Sequence, residues 1–226
     1  MTLPRLRSLL VVLLLPAVLS ADSLKSAFQA KAMLGPEVWS RVLRIKNERP
    51  GRGSRYPAEF HGLLVEFRGI LWLYTEFDGT QTLSKFAGRT EADRANLAPL
   101  LQAVEPGLTQ YEEVAEGPPF GTLGRPPPYH CFPASVARWQ QLLAEPNPPT
   151  RARLLAIYPD GRWRGHMVLE YWRDGRRYVF DPELPGRDIE LSVRLDEDPL
   201  KVARALYRSD PRPQPTRALR LDLRGA

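Results

Sequence analysis

The chain has 226 residues, with 32 basic and 26 acidic side chains, a formal charge of +6 and a single cysteine. Both signs of charge are interspersed and no basic run is set among aromatic residues, which argues against nucleic-acid binding. One cysteine excludes an internal disulfide, although small exported proteins usually pair their cysteines. Arginine outnumbers lysine 27 to 5, and alanine, leucine and proline abound, the bias of a GC-rich bacterial coding sequence.

The first segment sets Arg5 and Arg7 before an apolar run from Leu9 to Leu15, then Pro16 and a small-residue exit at Ala17-Val18-Leu19-Ser20-Ala21. Basic, apolar and cleavable parts in that order read as a secretory signal peptide over residues 1–21, cut after Ser20 or Ala21, with an apolar run too short to span a bilayer. An uncleaved membrane anchor is the alternative. Either way the folded part is exported, to the periplasm or the medium. With Arg5 and Arg7 removed, the excess of basic over acidic residues falls to four, and no later stretch is apolar enough to cross a membrane. Roughly 205 residues remain, enough for one domain or one with a small annex. They divide by character into residues 22–120, helices and a β-meander, and residues 121–226, which carry the chemistry.

Along the chain, apolar positions at helical spacing (Leu24, Phe28, Val38, Val42, Ile45), broken at Gly35-Pro36, predict two short helices over residues 24–46. Residues 47–57, with Pro50, Gly51, Gly53 and Pro57, are a loop. The runs from His61 to Phe67, Ile70 to Tyr74 and Thr80 to Leu83 alternate with Gly-containing turns and predict an antiparallel meander. Residues 91–103 read as a helix. From Gly117 to Pro128 proline and glycine preclude regular structure. Residues 131–143 form a further helix with Pro133 in its first turn, so Cys131 stands at a helix start, with Val136, Trp139 and Leu143 on the inward face. Strands follow over residues 153–158, 165–172, 177–182 and 189–193, then a helix over 200–207, a proline-rich linker through Pro215 and an edge strand near 219–223. The expected fold class is α+β: a Cys-bearing helix packed on an antiparallel sheet, extended at the N-terminus by helices and the meander.

A lone thiol outside the cytoplasm is either buried as a small hydrophobe or put to use. Use as a nucleophile requires a means of forming thiolate, a nearby base and a group that orients the base. The helix start favours the thiolate through the partial positive charge of its N-terminus. The base is His166, on a later strand. If Asp174-Gly175 is a two-residue turn, Arg173 pairs with Arg176 and Asp181 falls opposite Val168, two residues from His166 on the same face. Such diagonal neighbours have Cα atoms ~5.5–8 Å apart, within reach of an imidazole–carboxylate hydrogen bond. A loop one residue longer would turn Asp181 away. Glu183 is a possible substitute for it.

Cys131 with Ala134, then Gly165-His166, then Tyr178-Val179-Phe180-Asp181-Pro182 resembles the transglutaminase-like branch of the papain-type cysteine hydrolases, over about residues 128–185. The resemblance implies Cys131 as nucleophile, His166 as general base and acid, and Asp181 as the residue that holds the imidazole. The chain departs from the family pattern at Met167-Val168 after the histidine, and at Tyr129-His130 and Phe132-Pro133 around the cysteine. The implied activity is that of an exported hydrolase or acyltransferase acting on amide bonds of a peptide or protein substrate, without a cofactor. The default oxyanion donor is the backbone N–H of Cys131.

Other readings compete. A non-catalytic exported binding module would keep the same fold with an inert, buried Cys131. His61 opens a strand and reads as structural; His130 adjoins the thiol and could tune it. Cys131, His130 and His166 lack the spacing of a zinc site. Trp139, Trp163, Tyr171 and Trp172 read as core and cleft lining.

Overall fold

The computed structural model describes residues 23–51, 53–67, 69–77, 80–86, 91–115, 130–159, 165–184, 188–191, 198–208 and 214–221. Residues 1–21, read from the sequence as a signal peptide, the proline-rich stretch 117–128 and the turns expected at Asp78-Gly79 and Asp160-Gly161 lie outside them. The architecture is α+β, with two five-stranded antiparallel sheets. It divides into two compact units, Met1–Ala32 with Val38–Leu123, and Met33–Glu37 with Gly124–Ala226. Among the described residues, no helix is long and apolar enough to cross a membrane.

A helix over residues 23–33 (α1), all of it but Met33 in the first unit, precedes strands β1 (Ser40–Asn47), β2 (Glu59–Phe67), β3 (Ile70–Phe77) and β4 (Thr80–Lys85), then helices α2 (Glu91–Ala95) and α3 (Ala98–Val104), and strand β5 (Leu108–Glu113). The sheet order is β4-β3-β2-β1-β5. The meander β2-β3-β4 follows the predicted course, with Glu66 opposite Leu71 and Tyr74 opposite Leu83. Leu43, Ile45, Phe60, Leu64, Leu71 and Leu73 form one apolar face, packed with Leu97 and Leu101 from the α3 side. The opposite face receives α1, where the Ser26 hydroxyl donates to Glu76 and the Ser23 hydroxyl meets Nδ1 of His61 at 3.1 Å. A sheet covered on both sides needs near-continuous apolar strands, which accounts for Leu63-Leu64-Val65 and Ile70-Leu71-Trp72-Leu73.

Two expectations fail in this unit. The second helix predicted within residues 24–46 is strand β1, which pairs with β2 on one side and β5 on the other. Val42 and Ile45 satisfy helical spacing by coincidence. Val42, Leu43 and Ile45 are all buried because both faces of this interior strand are covered, which erases the period-two signal. The helix predicted over 91–103 is two helices broken at Asn96-Leu97, because Pro99, in the first turn of α3, has no N–H to donate to the Ala95 carbonyl and so cannot continue α2. Strand β5 was not anticipated from its mixed polar sequence, LTQYEE.

The second unit holds α4 (Cys131–Leu143), β6 (Arg151–Pro159), β7 (His166–Arg173), β8 (Arg176–Phe180), β9 (Asp188–Leu191), α5 (Pro199–Leu206) and β10 (Pro215–Leu221). The sheet order is β10-β6-β7-β8-β9, so the C-terminal strand closes one edge. On one face Leu155, Ile157, Val168, Val179 and Leu191 pack with Val202, Ala203 and Tyr207 of the α5 region. Asp198 caps α5 by accepting from the Leu200 N–H at 2.9 Å, and Pro199 occupies its first turn, where no donor is required. Helix α4 has contacts with β7. Its inward face is Phe132, Val136, Trp139 and Leu142; Leu143, expected inward, is 45% exposed. The three-residue step from Val136 to Trp139 continues to Leu142, and the next position rotates outward.

Candidate functional site

The hairpin β7–β8 has the register expected from the sequence: Arg173 faces Arg176, Tyr171 faces Tyr178 and Leu169 faces Phe180. Its turn residues, Asp174 at φ 52° and Gly175 at φ 72°, both adopt the left-handed backbone of the primed two-residue turn that matches strand twist. One pair beyond the ladder, Asp181 leaves β8 two positions from His166, and the diagonal is closed. His166 Nε2 lies 2.8 Å from Asp181 Oδ1. An ionised carboxylate only accepts hydrogen bonds, so Nε2 carries the proton and donates.

The chain turns directly after Asp181. The Glu183 N–H donates to Oδ1 at 2.9 Å and the Leu184 N–H to the Asp181 carbonyl at 3.0 Å, so an aspartate-capped turn with Pro182 at its corner fixes the carboxylate rotamer. The other oxygen, Oδ2, accepts from the Tyr207 hydroxyl at 2.8 Å. The Tyr207 ring also meets His166 edge-on, 6.4 Å between centroids at 71°. Sequence reasoning missed Tyr207: it follows α5, 41 positions after His166 (166 to 207), and no local pattern marks it.

Cys131 is the first residue of α4, and the Ala134 N–H closes the first turn onto the His130 carbonyl at 3.0 Å. The Cys131 side chain lies near enough to the His166 ring to raise its pKa. Cys131, His166 and Asp181 are 6%, 7% and 0% exposed, so the sequence-predicted trio converges in a nearly dry site. Burial works against the imidazolium, yet the hydrogen bonds to Asp181 and to the Cys131 thiol outweigh it and raise the ring to about 10. Burial likewise opposes charge on Asp181, but the hydrogen bond and charge of His166 hold its carboxyl below the ordinary range. The arrangement can set a thiol beside a base able to accept a proton and return it to a leaving group.

Glu183 does not stand in for Asp181. Its carboxylate lies on the other side of the ring, Oε1 3.6 Å from Nδ1, partly open to solvent. His130 is buried beside the thiol in sequence. His61 lies in the first unit, where Ser23 Oγ accepts from its backbone N–H at 3.1 Å and shares a hydrogen bond with Nδ1 at 3.1 Å, a structural role. Trp139 and Tyr171 are buried as expected of lining residues, Trp163 lies outside the described residues, and Trp172 is ringed by the guanidiniums of Arg151, Arg153 and Arg177 at 4.9–5.4 Å. On the same sheet face as His166, Glu170 is fully buried and accepts from Arg177 and, at 3.2 Å, from Arg220 Nε. This ion cluster was not anticipated, since its members come from three strands. Among the described residues, no three His, Cys, Asp or Glu side chains are placed to hold a metal ion.

Compared with known proteins, the chain matches no family model, no curated protein and no solved structure.

Proposed function

We propose that this chain is an exported, thiol-dependent hydrolase or acyltransferase acting on amide or peptide bonds, with Cys131 as nucleophile, His166 as general base and acid, and Asp181 as the group that holds the imidazole. The observation that carries the reading is the buried His166–Asp181 hydrogen bond, 2.8 Å from Nε2 to Oδ1, with the Cys131 side chain acting on the same ring. The reading is supported by a thiol at a helix start, an imidazole on a strand and a carboxylate fixed by its own turn. The order Cys-helix, His-strand, Asp at the next strand's end supports a transglutaminase-like core over about residues 128–185. The basic, apolar and small-residue order of residues 1–21 supports export.

In this reading the thiolate attacks the carbonyl carbon of a peptide or protein substrate, and the carbonyl π electrons move onto oxygen. The tetrahedral intermediate collapses as Nδ1–H of His166 protonates the departing amine, leaving a thioester on Cys131. Water or a second amine, deprotonated by the now neutral imidazole, attacks the thioester and regenerates the thiol. Asp181 stays ionised and stabilises the imidazolium at each stage.

A second reading is a binding module with an inert cysteine, favoured by the low exposure of Cys131, 6%. Thiol reactivity separates the two. The enzyme reading expects iodoacetamide to modify Cys131 in the folded protein at pH values well below the ~8.5 of an ordinary thiol, and expects His166→Ala to abolish that low-pH reactivity. Modification that appears only on unfolding, or that is unchanged in His166→Ala, overturns it.

A further inference from the structure

We infer that Tyr207 is a positioning residue of this site, acting on the thiol through Asp181 and His166, so that the C-terminal helix α5 completes the reactive centre rather than only covering the sheet. The inference rests on the proposed thiol chemistry and adds a member that no local sequence pattern reveals.

Three contacts carry it. The Tyr207 hydroxyl donates to Asp181 Oδ2 at 2.8 Å, on the carboxylate oxygen that His166 does not use. The Tyr207 and His166 rings also stand nearly perpendicular, 6.4 Å between centroids at 71°. The hydroxyl, the carboxylate and the imidazole are all buried, so water competes poorly for these bonds. Tyr207 is itself anchored. Its N–H donates to the Ala203 carbonyl at 3.2 Å, and the Gln214 side-chain amide donates to its carbonyl at 2.7 Å, just before β10 begins. The tyrosine therefore ties the last helix and the last strand to the carboxylate.

A carboxylate of this kind has two requirements. It must stay ionised to stabilise the imidazolium, and it must present Oδ1 squarely to Nε2. The Glu183 N–H serves Oδ1 and the Tyr207 hydroxyl serves Oδ2, so together they hold both. Among the described residues, the titratable groups facing the Asp181–His166 pair are Cys131 from α4, Glu183 from the turn after β8 and Tyr207 after α5. Of these, only Tyr207 donates to the carboxylate from outside its own turn. Without that donor the carboxyl holds its proton to a higher pH, and a protonated Asp181 no longer supports the imidazolium.

The test uses the intact chain and the pH profile of Cys131 alkylation by iodoacetamide, with Tyr207→Phe, Tyr207 replaced by 3-fluorotyrosine, and Asp181→Asn. Tyr207→Phe is expected to move the acid limb upward by about one pH unit, the size of one hydrogen bond to a charged group. It is expected to have no further effect in the Asp181→Asn background, because both changes act on one carboxylate. Fluorotyrosine preserves the shape and strengthens the donor, so it should move the limb the opposite way; it also supplies the answer if Tyr207→Phe does not fold. An unshifted limb in a folded Tyr207→Phe or fluorotyrosine protein overturns the inference, as does full additivity with Asp181→Asn. If alkylation is also indifferent to His166→Ala, the thiol chemistry itself has failed. If it depends on His166 but not on Tyr207, only the role given to Tyr207 is lost.

Discussion

Replacing Asp181 by asparagine keeps the size of the side chain and removes its charge, at a residue that accepts three hydrogen bonds in a fully buried position. A hydrogen bond to a charged group contributes about 1 kcal/mol more than a neutral one, so three weakened bonds give a loss of about 2–4 kcal/mol near pH 6. The loss should depend on pH in a defined sense. His166 keeps its proton in the folded protein up to about 10, against 6.5 for the unfolded chain. Its contribution is therefore complete below about 6.5 and drains away as pH rises toward about 10. Asp181 is lowered on folding, so its contribution is present above its ordinary value of 3.8 and is lost as pH falls through the folded value. Wild type and Asp181→Asn should differ most between about 4 and 6.5 and converge at alkaline pH. Each unit of His166 shift that Asp181 provides is about 1.4 kcal/mol of that convergence. Denaturant unfolding of both proteins at a series of pH values, at constant slope, measures it. Parallel stability curves from pH 5 to pH 10 would refute the ionic coupling of the pair.

Two further expectations concern the frame around the site. Leu142→Ala in α4 should destabilise by about 2–5 kcal/mol through loss of a buried side chain, whereas Leu143→Ala, at the exposed neighbour, should stay within about 0.5 kcal/mol. Equal effects in thermal or denaturant unfolding would contradict the inward face assigned to the helix. Glu170→Ala removes the carboxylate shared by Arg177 and Arg220 and should cost about 3–5 kcal/mol, because the Arg177 guanidinium stays buried. A denaturation midpoint close to that of wild type would show that this ion cluster is not desolvated in solution.

The order of residues is decisive where local chemistry leaves little choice. Asp174-Gly175 is a turn whose two residues tolerate positive φ, and side chains alternate along strands with period two, so the β7–β8 register and the approach of Asp181 to His166 follow by counting. Pro133, which has no N–H to leave unsatisfied in a first turn, marks the helix start that carries Cys131. The tertiary structure decided what depends on distant partners. Residues 40–47 are a strand because β2 and β5 flank them, and covering both faces removed the alternation that would have announced it. The contact of the thiol with the His166 ring joins a helix to a strand 35 residues away (131 to 166). Tyr207 reaches Asp181 only because α5 folds back across the sheet face of Val168 and Val179. Hydrogen bonds and burial of this kind have no period in the sequence, since each is set by where the chain returns in space.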